Sequence, residues 1–459
     1  GLSMSRLFCV PQLLIAALVL GLLPAEDGRI AGQSIGYRGD GSGVFDARPP
    51  TQWSEDKGVA WKAPLPYWGN GSPMAVGDRA FVMCEPGYGD LEAPTLLCFD
   101  LGTGEELWRQ PVDPFDLLGG SAKKYKELRR EFWELDRQTM QFAFAVWGPE
   151  KRAEARAEAA AAGIDLPKDI KGNQPLRNLQ PKDLKDRRQE VYKELSKATK
   201  FYHAGWRYWG LHLGQTFATP VSDGEHIYIV TGYNNAACFT LDGEPRWHVG
   251  FNDQVKNYGT KEAFHSPTIH DGKLVFTLAG HLRALDLRNG REIYSLPCKP
   301  VYACGAIQPW RLGDTDCLFV PDGTLIRAAD GLVLAKGIGC AYSGSTPVIE
   351  GDVVVMVNSV SGGKYWGDSR ADAPEGLTAY RVAVDGNKAK VELLWNVAGQ
   401  GAAGTPVGHG GRVYLIDKRD GLLVFDVGSG KQVAKVGGRF VAHHGLIMAG
   451  DLLYTLGED

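Results

Sequence analysis

Two adjacent histidines, His443 and His444, are the residues of this sequence whose type and spacing best suit metal binding. Imidazole pairs recur in zinc and copper sites. These two lie next to a β-rich stretch, and neighbouring residues of a strand point to opposite faces of its sheet. We therefore predict that they are structural or line a channel, and we predict no metal-binding residue.

A glycine-rich segment, GDGSGVFD at residues 39–46, is the second candidate for chemistry. It suggests a calcium loop or a nucleotide-binding turn. It lacks the acidic ligand that ends a calcium loop, and no strand before it or helix after it is predicted. We interpret it as a glycine-rich approach to the first structural repeat.

Five aromatic side chains crowd residues 201–214, FYHAGWRYWGLHLG. This segment is predicted to belong to a core or to anchor a neighbouring element, with a carbohydrate platform around Trp206 and Trp209 as the alternative. No Ser-His-Asp order, HExxH or GxSxG pattern occurs in the chain. We predict no catalytic residue.

The elements that position these residues follow from a repeat. The stretch LLCFDLGTGEELW, residues 96–108, contains an alternating strand, a polar glycine-containing turn and a second short strand. The same pattern recurs five times, at residues 236–247, 282–294, 325–336, 377–395 and 422–435. A phosphate-binding glycine loop would need a helix after Gly104, and none is predicted there. We therefore predict hairpins between the two outer strands of a repeated unit.

A Pro-containing dipeptide precedes each copy, at Ser72-Pro73, Thr219-Pro220, Ser266-Pro267, Gln308-Pro309, Thr346-Pro347 and Thr405-Pro406. After a first interval of 147 residues, the spacings of 47, 42, 38 and 59 residues suit the blades of a β-propeller. We predict an all-β, seven- or eight-bladed β-propeller with four-stranded blades. Its last blade, from His443 onward, is expected to be incomplete, and residues 59–66, with Trp61, to supply an outer strand that closes the ring.

The long first interval is predicted to be a helical hairpin inserted at residues 116–205, between propeller segments 36–115 and 206–459. Residues 121–200 contain 19 Lys/Arg and 13 Asp/Glu, whereas the remainder contains 31 and 41. A solvated hairpin on the propeller rim explains this asymmetry. The sharper hypothesis is a docking surface for an acidic protein or envelope component.

Residues 1–25 have the pattern of a secretory signal peptide, with Arg6 before an apolar run and Ala25 near the expected cleavage site. The eleven apolar residues 13–23 are fewer than the about 20 that span a bilayer, so no transmembrane segment is predicted in the mature chain. A periplasmic or secreted location follows. The formal net charge of −4 argues against nucleic-acid binding.

Eight cysteines are present, of which Cys9 falls within the predicted signal peptide. None are adjacent and none form a CxxC pair, so the other seven are predicted to be small core residues. One disulfide, between Cys298 and either Cys304 or Cys317, is the alternative.

With its repeats aligned, the chain resembles the PQQ-binding-like, or quinoprotein-type, β-propeller repeat family. The Ser/Thr-Pro strands and the hairpins that end in tryptophan carry the resemblance. It implies that the motif tryptophans pack against the neighbouring blade, and the positions that match are Trp61, Trp108, Trp247 and Trp395. Tyr294, Lys336 and Lys435 depart from the motif, so weaker docking is expected there.

The family includes quinoprotein dehydrogenases, which have a vicinal Cys-Cys disulfide, a calcium ion and an Asp base. None of those residues can be matched in this chain, so no cofactor-binding residue is assigned and no cofactor is predicted. The non-enzymatic branch includes a propeller lipoprotein of outer-membrane protein assembly, although no lipid anchor is evident here. The favoured hypothesis is an exported, non-enzymatic scaffold that binds a protein or envelope component. The alternatives are a PQQ- and calcium-dependent oxidoreductase and a polysaccharide-binding propeller.

Overall fold

Short strands dominate the part of the chain that the structure, a computed structural model, describes, and the second and third strands of most sheets are buried along nearly their whole length. The described residues are 35–52, 54, 57–67, 69, 71–85, 91–144, 182–198, 216, 218–251, 265–278, 280–298, 305–339, 345–358, 374–398, 405–417, 420–438, 440 and 445–455. They form six four-stranded antiparallel sheets, which we call sheets 1 to 6, and a three-stranded sheet, sheet 7.

The first strand of the chain, β1 (Val44–Phe45), belongs to sheet 7, and sheets 1 to 3 then follow in order. Sheet 1 contains β2 (Met74–Val76), β3 (Arg79–Cys84), β4 (Thr95–Asp100) and β5 (Glu106–Pro111). Sheet 2 contains β6 (Val221–Ser222), β7 (His226–Thr231), β8 (Asn235–Thr240) and β9 (Pro245–Gly250). Sheet 3 contains β10 (Thr268–His270), β11 (Lys273–Leu278), β12 (His281–Asp286) and β13 (Glu292–Pro297).

Sheets 4 to 7 complete the chain. Sheet 4 contains β14 (Gln308–Leu312), β15 (Thr315–Val320), β16 (Thr324–Arg327) and β17 (Val333–Ala335). Sheet 5 contains β18 (Val348–Glu350), β19 (Val353–Asn358), β20 (Gly376–Asp385) and β21 (Lys388–Val397). Sheet 6 contains β22 (Val407–His409), β23 (Arg412–Asp417), β24 (Gly421–Asp426) and β25 (Gln432–Val436), and sheet 7 adds β26 (Ile447–Ala449) and β27 (Leu452–Tyr454) to β1.

The core lies between successive sheets, because the strands of each sheet bury apolar side chains against the next sheet. One cluster joins Phe81 and Met83 of sheet 1 to Ile227 and Phe239 of sheet 2. A similar cluster joins sheets 5 and 6. This face-to-face stacking of four-stranded sheets in chain order is the arrangement of propeller blades.

The hairpin between third and fourth strands is closed by the polar turn that the sequence repeats. In sheet 1 the Gly104 N–H donates to the Asp100 carbonyl (2.8 Å), and the Asp100 carboxylate accepts from the Thr103 N–H (2.7 Å). Hydrogen bonds from the backbone and side chain of Thr103 lower the pKa of Asp100. Asp426 and Ser429 repeat this turn in sheet 6.

The Ser or Thr of the Ser/Thr-Pro motif has a role that the sequence does not reveal. Its hydroxyl accepts a hydrogen bond from a backbone N–H of the preceding sheet, which gives a belt of hydrogen bonds along the first strands. The pairs are Ser72 N–H to Thr219 Oγ1 (3.1 Å), Thr219 N–H to Ser266 Oγ (3.1 Å), Ala306 N–H to Thr346 Oγ1 (3.2 Å) and Thr346 N–H to Thr405 Oγ1 (3.4 Å).

Two sequence-based assignments need correction. Gln308-Pro309 is not the motif of sheet 4, because Ala306 precedes β14 by two residues, as Ser266 precedes β10, and takes its place in the belt. The N-terminal strand that pairs with the last sheet is β1, parallel to β26 and on its inner side, rather than residues 59–66. Residues 59–65 form no strand.

Two helices, α1 (Ala122–Phe144) and α2 (Lys182–Ala198), follow a 3-10 helix at Pro114–Ser121. Phe115, Phe132, Val191 and Leu195 form a small core between them. The 3-10 helix contacts β9, so the segment that precedes α1 packs against sheet 2. The predicted signal peptide, residues 145–181 and 199–200 of the insertion, the aromatic run at 201–214 and His443-His444 lie outside the described residues.

Candidate functional site

Residues 35–45, which we call the strap, contact the first strands of four sheets. Ile35 exchanges two backbone hydrogen bonds with Ser222 of sheet 2 (2.9 and 2.7 Å). Gly41 lies against Gln308 of sheet 4, and β1 pairs with β26 of sheet 7. Eleven residues that reach sheets 2, 4 and 7 must cross the space that these first strands surround.

Arg38 fixes the middle of the strap. Its guanidinium donates to the carbonyl of Pro406, before β22 of sheet 6 (3.1 Å), and to the carbonyl of Leu446, before β26 of sheet 7 (2.6 Å). The side chain is buried, and its backbone adopts a left-handed φ of 54°. Non-glycine residues in this conformation cost about 1–3 kcal/mol and persist where their surroundings hold them.

The charge of Arg38 is held by carbonyl oxygens. Burial lowers the pKa of Arg38, while Tyr37 and Asp40 raise it. Arginine remains protonated under such conditions because its unperturbed pKa is above 12. The strap thus places a buried cation among the starts of the first strands.

The glycines of the strap permit this close approach. Gly39, Gly41 and Gly43 have φ between 75° and 93°, and a Cβ on Gly41 would lie 2.8 Å from Gln308 Nε2. The segment GDGSGVFD, interpreted from the sequence as an approach to the first repeat, therefore lies against the first strands of sheets 4 and 7.

The four tryptophans assigned to docking all lie against the turn of the following sheet. Each indole Nε1–H donates to a backbone carbonyl there: Trp61 to Leu101 (2.8 Å), Trp108 to Leu241 (3.1 Å), Trp247 to Leu287 (2.8 Å) and Trp395 to Val427 (2.7 Å). Each ring also covers a glycine, where a Cβ would come within 2.5–2.8 Å of the indole: Gly104, Gly243, Gly290 and Gly430.

In the sheets that lack a motif tryptophan, the structure shows which residue takes the docking position. Tyr294 makes the same contact through its hydroxyl, which donates to the Ala328 carbonyl (3.2 Å). A one-residue bulge between the third and fourth strands puts Ala335 and Ala434 at the docking register, instead of Lys336 and Lys435. In sheet 4, Trp310 donates to the Gly351 carbonyl of sheet 5 (2.8 Å) from a different strand, β14.

The described cysteines have the properties of core residues. Burial raises the pKa of Cys84, Cys98, Cys238 and Cys317 to about 12, so these thiols stay protonated and are poor nucleophiles. Cys317 is a free thiol, so the predicted Cys298–Cys317 disulfide does not form. Cys304 lies outside the described residues. Within the described ranges, no three His, Cys, Asp or Glu side chains are grouped so that they could hold a metal ion.

Much of the positive charge of α1 is paired with carboxylates that lie outside the two helices. α1 and α2 together contain 12 Lys/Arg and 8 Asp/Glu. Asp113 accepts two hydrogen bonds from Arg129 (both 2.8 Å), and Lys126 pairs with Asp116. Arg130 pairs with Glu92. Three carboxylates outside the helices thus balance most of the local excess of positive charge.

Comparison with known proteins gives the chain its family. A family model described as outer membrane protein assembly factor BamB matches residues 194–456, which is more than half of the chain. The chain belongs to the BamB family of PQQ-like repeat propellers. The resemblance to a PQQ-like repeat family that the hairpin and Ser/Thr-Pro motifs predicted is thereby confirmed.

Solved structures that match the chain include BamB from Moraxella catarrhalis, at 12% identity and a TM-score of 0.43, covering 83% of this chain and 78% of that one. The computationally designed Ika8 protein matches at 13% identity and a TM-score of 0.30, over 51% of this chain and 78% of that one. The Pan2 WD40 domain of Neurospora crassa matches at 10% identity and a TM-score of 0.32, over 48% and 65%. No curated protein matches the chain.

The strap lies outside the range that the BamB family model matches. The matched range includes Pro406 and Leu446, the carbonyl partners of Arg38, but it begins after the strap and after α1. Arg38 was not singled out from the sequence as a functional residue. An arginine amid alternating glycines was the available signal, although its partners lie 368 and 408 residues away. Within the described part of this BamB-family chain, no helix is both long enough and apolar enough to span a bilayer.

Proposed function

We propose that the protein is an exported, non-enzymatic scaffold of the cell envelope that binds a protein partner. The family model that it matches is named for an outer membrane protein assembly factor, and a stack of rigid sheets that presents loops suits such a role. Periplasmic or secreted location rests on the predicted signal peptide at residues 1–25.

The observation that carries the proposal is the position of the strap beside the first strands. The oxidoreductase alternative would place PQQ and calcium on the axis of the ring, where calcium takes six to eight oxygen ligands. Here the strap occupies the level at which the first strands begin, with the cationic Arg38 bound to two carbonyls. A buried cation that already uses the local carbonyl oxygens repels Ca²⁺, so these residues do not fit the calcium ion of that pair.

Cofactor binding tests the enzymatic alternative directly. The purified protein is incubated with PQQ and Ca²⁺ and passed through gel filtration, with absorbance of the protein fraction measured at the quinone band. We expect no quinone to elute with the protein. Stoichiometric retention of quinone would overturn the scaffold proposal in favour of an oxidoreductase.

For the partner we propose a surface on the helical pair, at the exposed Lys123 and Lys124 of α1 and Lys185 and Lys193 of α2. None of these four lysines takes part in the ion pairs described above, so their charge is available to an acidic protein. Long-range attraction between such charges weakens as salt screens them.

A photo-crosslinking residue at position 123 or 185 tests this surface in cells, with position 431, an exposed lysine of sheet 6, as the matched control. We expect one discrete crosslinked protein from the helical positions, lost when Lys124 and Lys193 are changed to Glu. Equal crosslinking from position 431, or persistence after the charge reversal, would refute the helical surface. The polysaccharide-binding alternative depends on Trp206 and Trp209, which lie outside the described residues.

A further inference from the structure

At most junctions between successive sheets, an aromatic side chain donates a hydrogen bond from its N–H or O–H group to the following sheet. Trp61, Trp108, Trp247, Tyr294 and Trp395 donate to the turn of the following sheet, and Trp310 serves the junction of sheets 4 and 5. The junction of sheets 6 and 7 is the exception, because Ala434 occupies the docking register of sheet 6. Two exposed valines, Val433 and Val436, flank it on β25.

The strap reaches this same junction. Arg38 binds the Pro406 carbonyl of sheet 6 and the Leu446 carbonyl of sheet 7 with one guanidinium group. Val44 packs into the apolar cluster that Val407, Leu446 and Met448 form between the two sheets.

We propose that the strap is a latch that closes the seam between sheets 6 and 7, with Arg38 as the group that locks it. The guanidinium takes the place of the missing docking aromatic: it joins the two sheets from the axis instead of from the rim. This inference concerns the conformational behaviour of the ring and does not depend on the proposed scaffold function.

The latch has two ends that can be changed separately. At the seam, the Met448 N–H donates to the Gly43 carbonyl (2.7 Å) and the Gly450 N–H to the Phe45 carbonyl (3.1 Å). These two amides are protected from exchange only while the strap stays in place. Across the axis, Gly41 lies against Gln308, so a side chain at position 41 would push the strap away without touching Arg38.

Amide hydrogen exchange on the full chain tests the proposal. In Arg38→Met, which keeps much of the side-chain volume, we expect the Met448 and Gly450 amides to exchange about tenfold faster or more. The Val275 amide in sheet 3 should keep its rate. Arg38→Lys should also accelerate the seam, because one ammonium group does not reproduce the planar fork that reaches both carbonyls.

Two further variants keep the test decisive. Gly41→Ala should give the same local acceleration at Met448 and Gly450, and it serves as the test variant if Arg38→Met does not fold. Trp247→Ala should accelerate exchange at the junction of sheets 2 and 3 and leave the seam unchanged. Unchanged exchange at Met448 and Gly450 in both strap variants would overturn the latch. Equal acceleration in every sheet would also overturn it, since Arg38 would then be an ordinary core residue.

Discussion

A docking tryptophan joins two sheets through two different interactions. Trp247 packs its ring on Gly290, which has no Cβ to hold it away, and satisfies the Leu287 carbonyl with its Nε1–H. Its ring centroid also lies 6.0 Å from that of Tyr228. The glycine and the tryptophan are therefore one unit, and a change at either position should loosen the junction.

Trp247→Ala is expected to lower the free energy of unfolding by about 3 kcal/mol, because removing a large packed aromatic leaves a cavity. Trp247→Phe keeps most of the packing and loses the hydrogen bond to Leu287, so a loss of about 1 kcal/mol is expected. Urea denaturation followed by circular dichroism measures both. Equal losses for the two variants would show that the hydrogen bond, and not the packing, dominates the docking.

His265 should make stability depend on pH. Burial lowers the pKa of His265 to about 4 from its ordinary value of 6.5. Between these two values the unfolded chain binds a proton that the folded chain does not bind. The free energy of unfolding should therefore fall as the pH falls from 6.5 to 4, by up to about 1.4 kcal/mol per pH unit.

Urea denaturation at several pH values in this window checks that slope. His265→Gln should reduce the slope, and the part that remains belongs to the buried His248 and His270, whose pKa burial also lowers. The exposed His409→Gln, the matched control, should leave the slope unchanged. An unchanged slope in His265→Gln would assign the pH dependence to other groups.

At the scale of elements, a buried ion pair between Asp113 and Arg129 lies where the helical pair follows β5 of sheet 1. Burial would raise the pKa of Asp113, but its hydrogen bonds and charge interaction with Arg129, helped by the Phe115 N–H and Lys126, lower it on balance. The Arg129 guanidinium also stacks over the Phe115 ring at 4.8 Å. Asp113 and Arg129 thus join the 3-10 helix to α1.

Asp113→Asn is expected to destabilise the helical pair by about 3 kcal/mol, because it leaves the Arg129 charge buried without its partner. Arg130→Met is the matched control: its pair with Glu92 is exposed, so its loss should cost less than about 1 kcal/mol. Hydrogen exchange of α1 measures both effects. If the two variants have the same effect, the buried pair is not the anchor.

The elements also show how far local pattern predicts this molecule. Alternating residues and Asp-Gly turns located the hairpins, because a hairpin needs only neighbouring residues. The docking position of sheets 4 and 6 was placed one residue too late, because Ala335 and Ala434 stand there instead of the aromatic residue that marks it in the other four-stranded sheets. Sheet 4 was also displaced by two residues, because Ala306 lacks the hydroxyl that marks the other first strands.

The candidate site was the part least accessible from sequence. The strap is defined by contacts with sheets 2, 4, 6 and 7, and the periodicity of a segment carries no information on which distant strands surround it. The prediction that residues 59–66 supply the closing strand was wrong for a related reason. A propeller can be closed from the rim or from the axis, and here the strand that pairs with the last sheet lies on its inner side.

For the whole molecule, the belt of hydroxyl groups links the first strands into a series in which each member depends on its neighbours. Thr219 both accepts from the Ser72 N–H and donates its own N–H to Ser266 Oγ. Thr405 accepts from the Thr346 N–H in another part of the series. Changes to adjacent members should therefore interact, and changes to distant members should not.

Thr219→Val keeps the shape of the side chain and leaves the Ser72 N–H without its acceptor, so a loss of about 1–3 kcal/mol in the free energy of unfolding is expected. Thr405→Val should have a similar effect through the Thr346 N–H.

Because these two sites share no partner, the double variant should lose the sum of the two single losses to within about 0.5 kcal/mol. Thr219→Val combined with Ser266→Ala should deviate from additivity by more than that, since both changes act on residue 219: one removes its hydroxyl and the other removes the acceptor of its backbone N–H. Additivity in both pairs, measured by urea denaturation, would mean that the belt consists of independent hydrogen bonds and that sheet packing alone transmits strain around the ring.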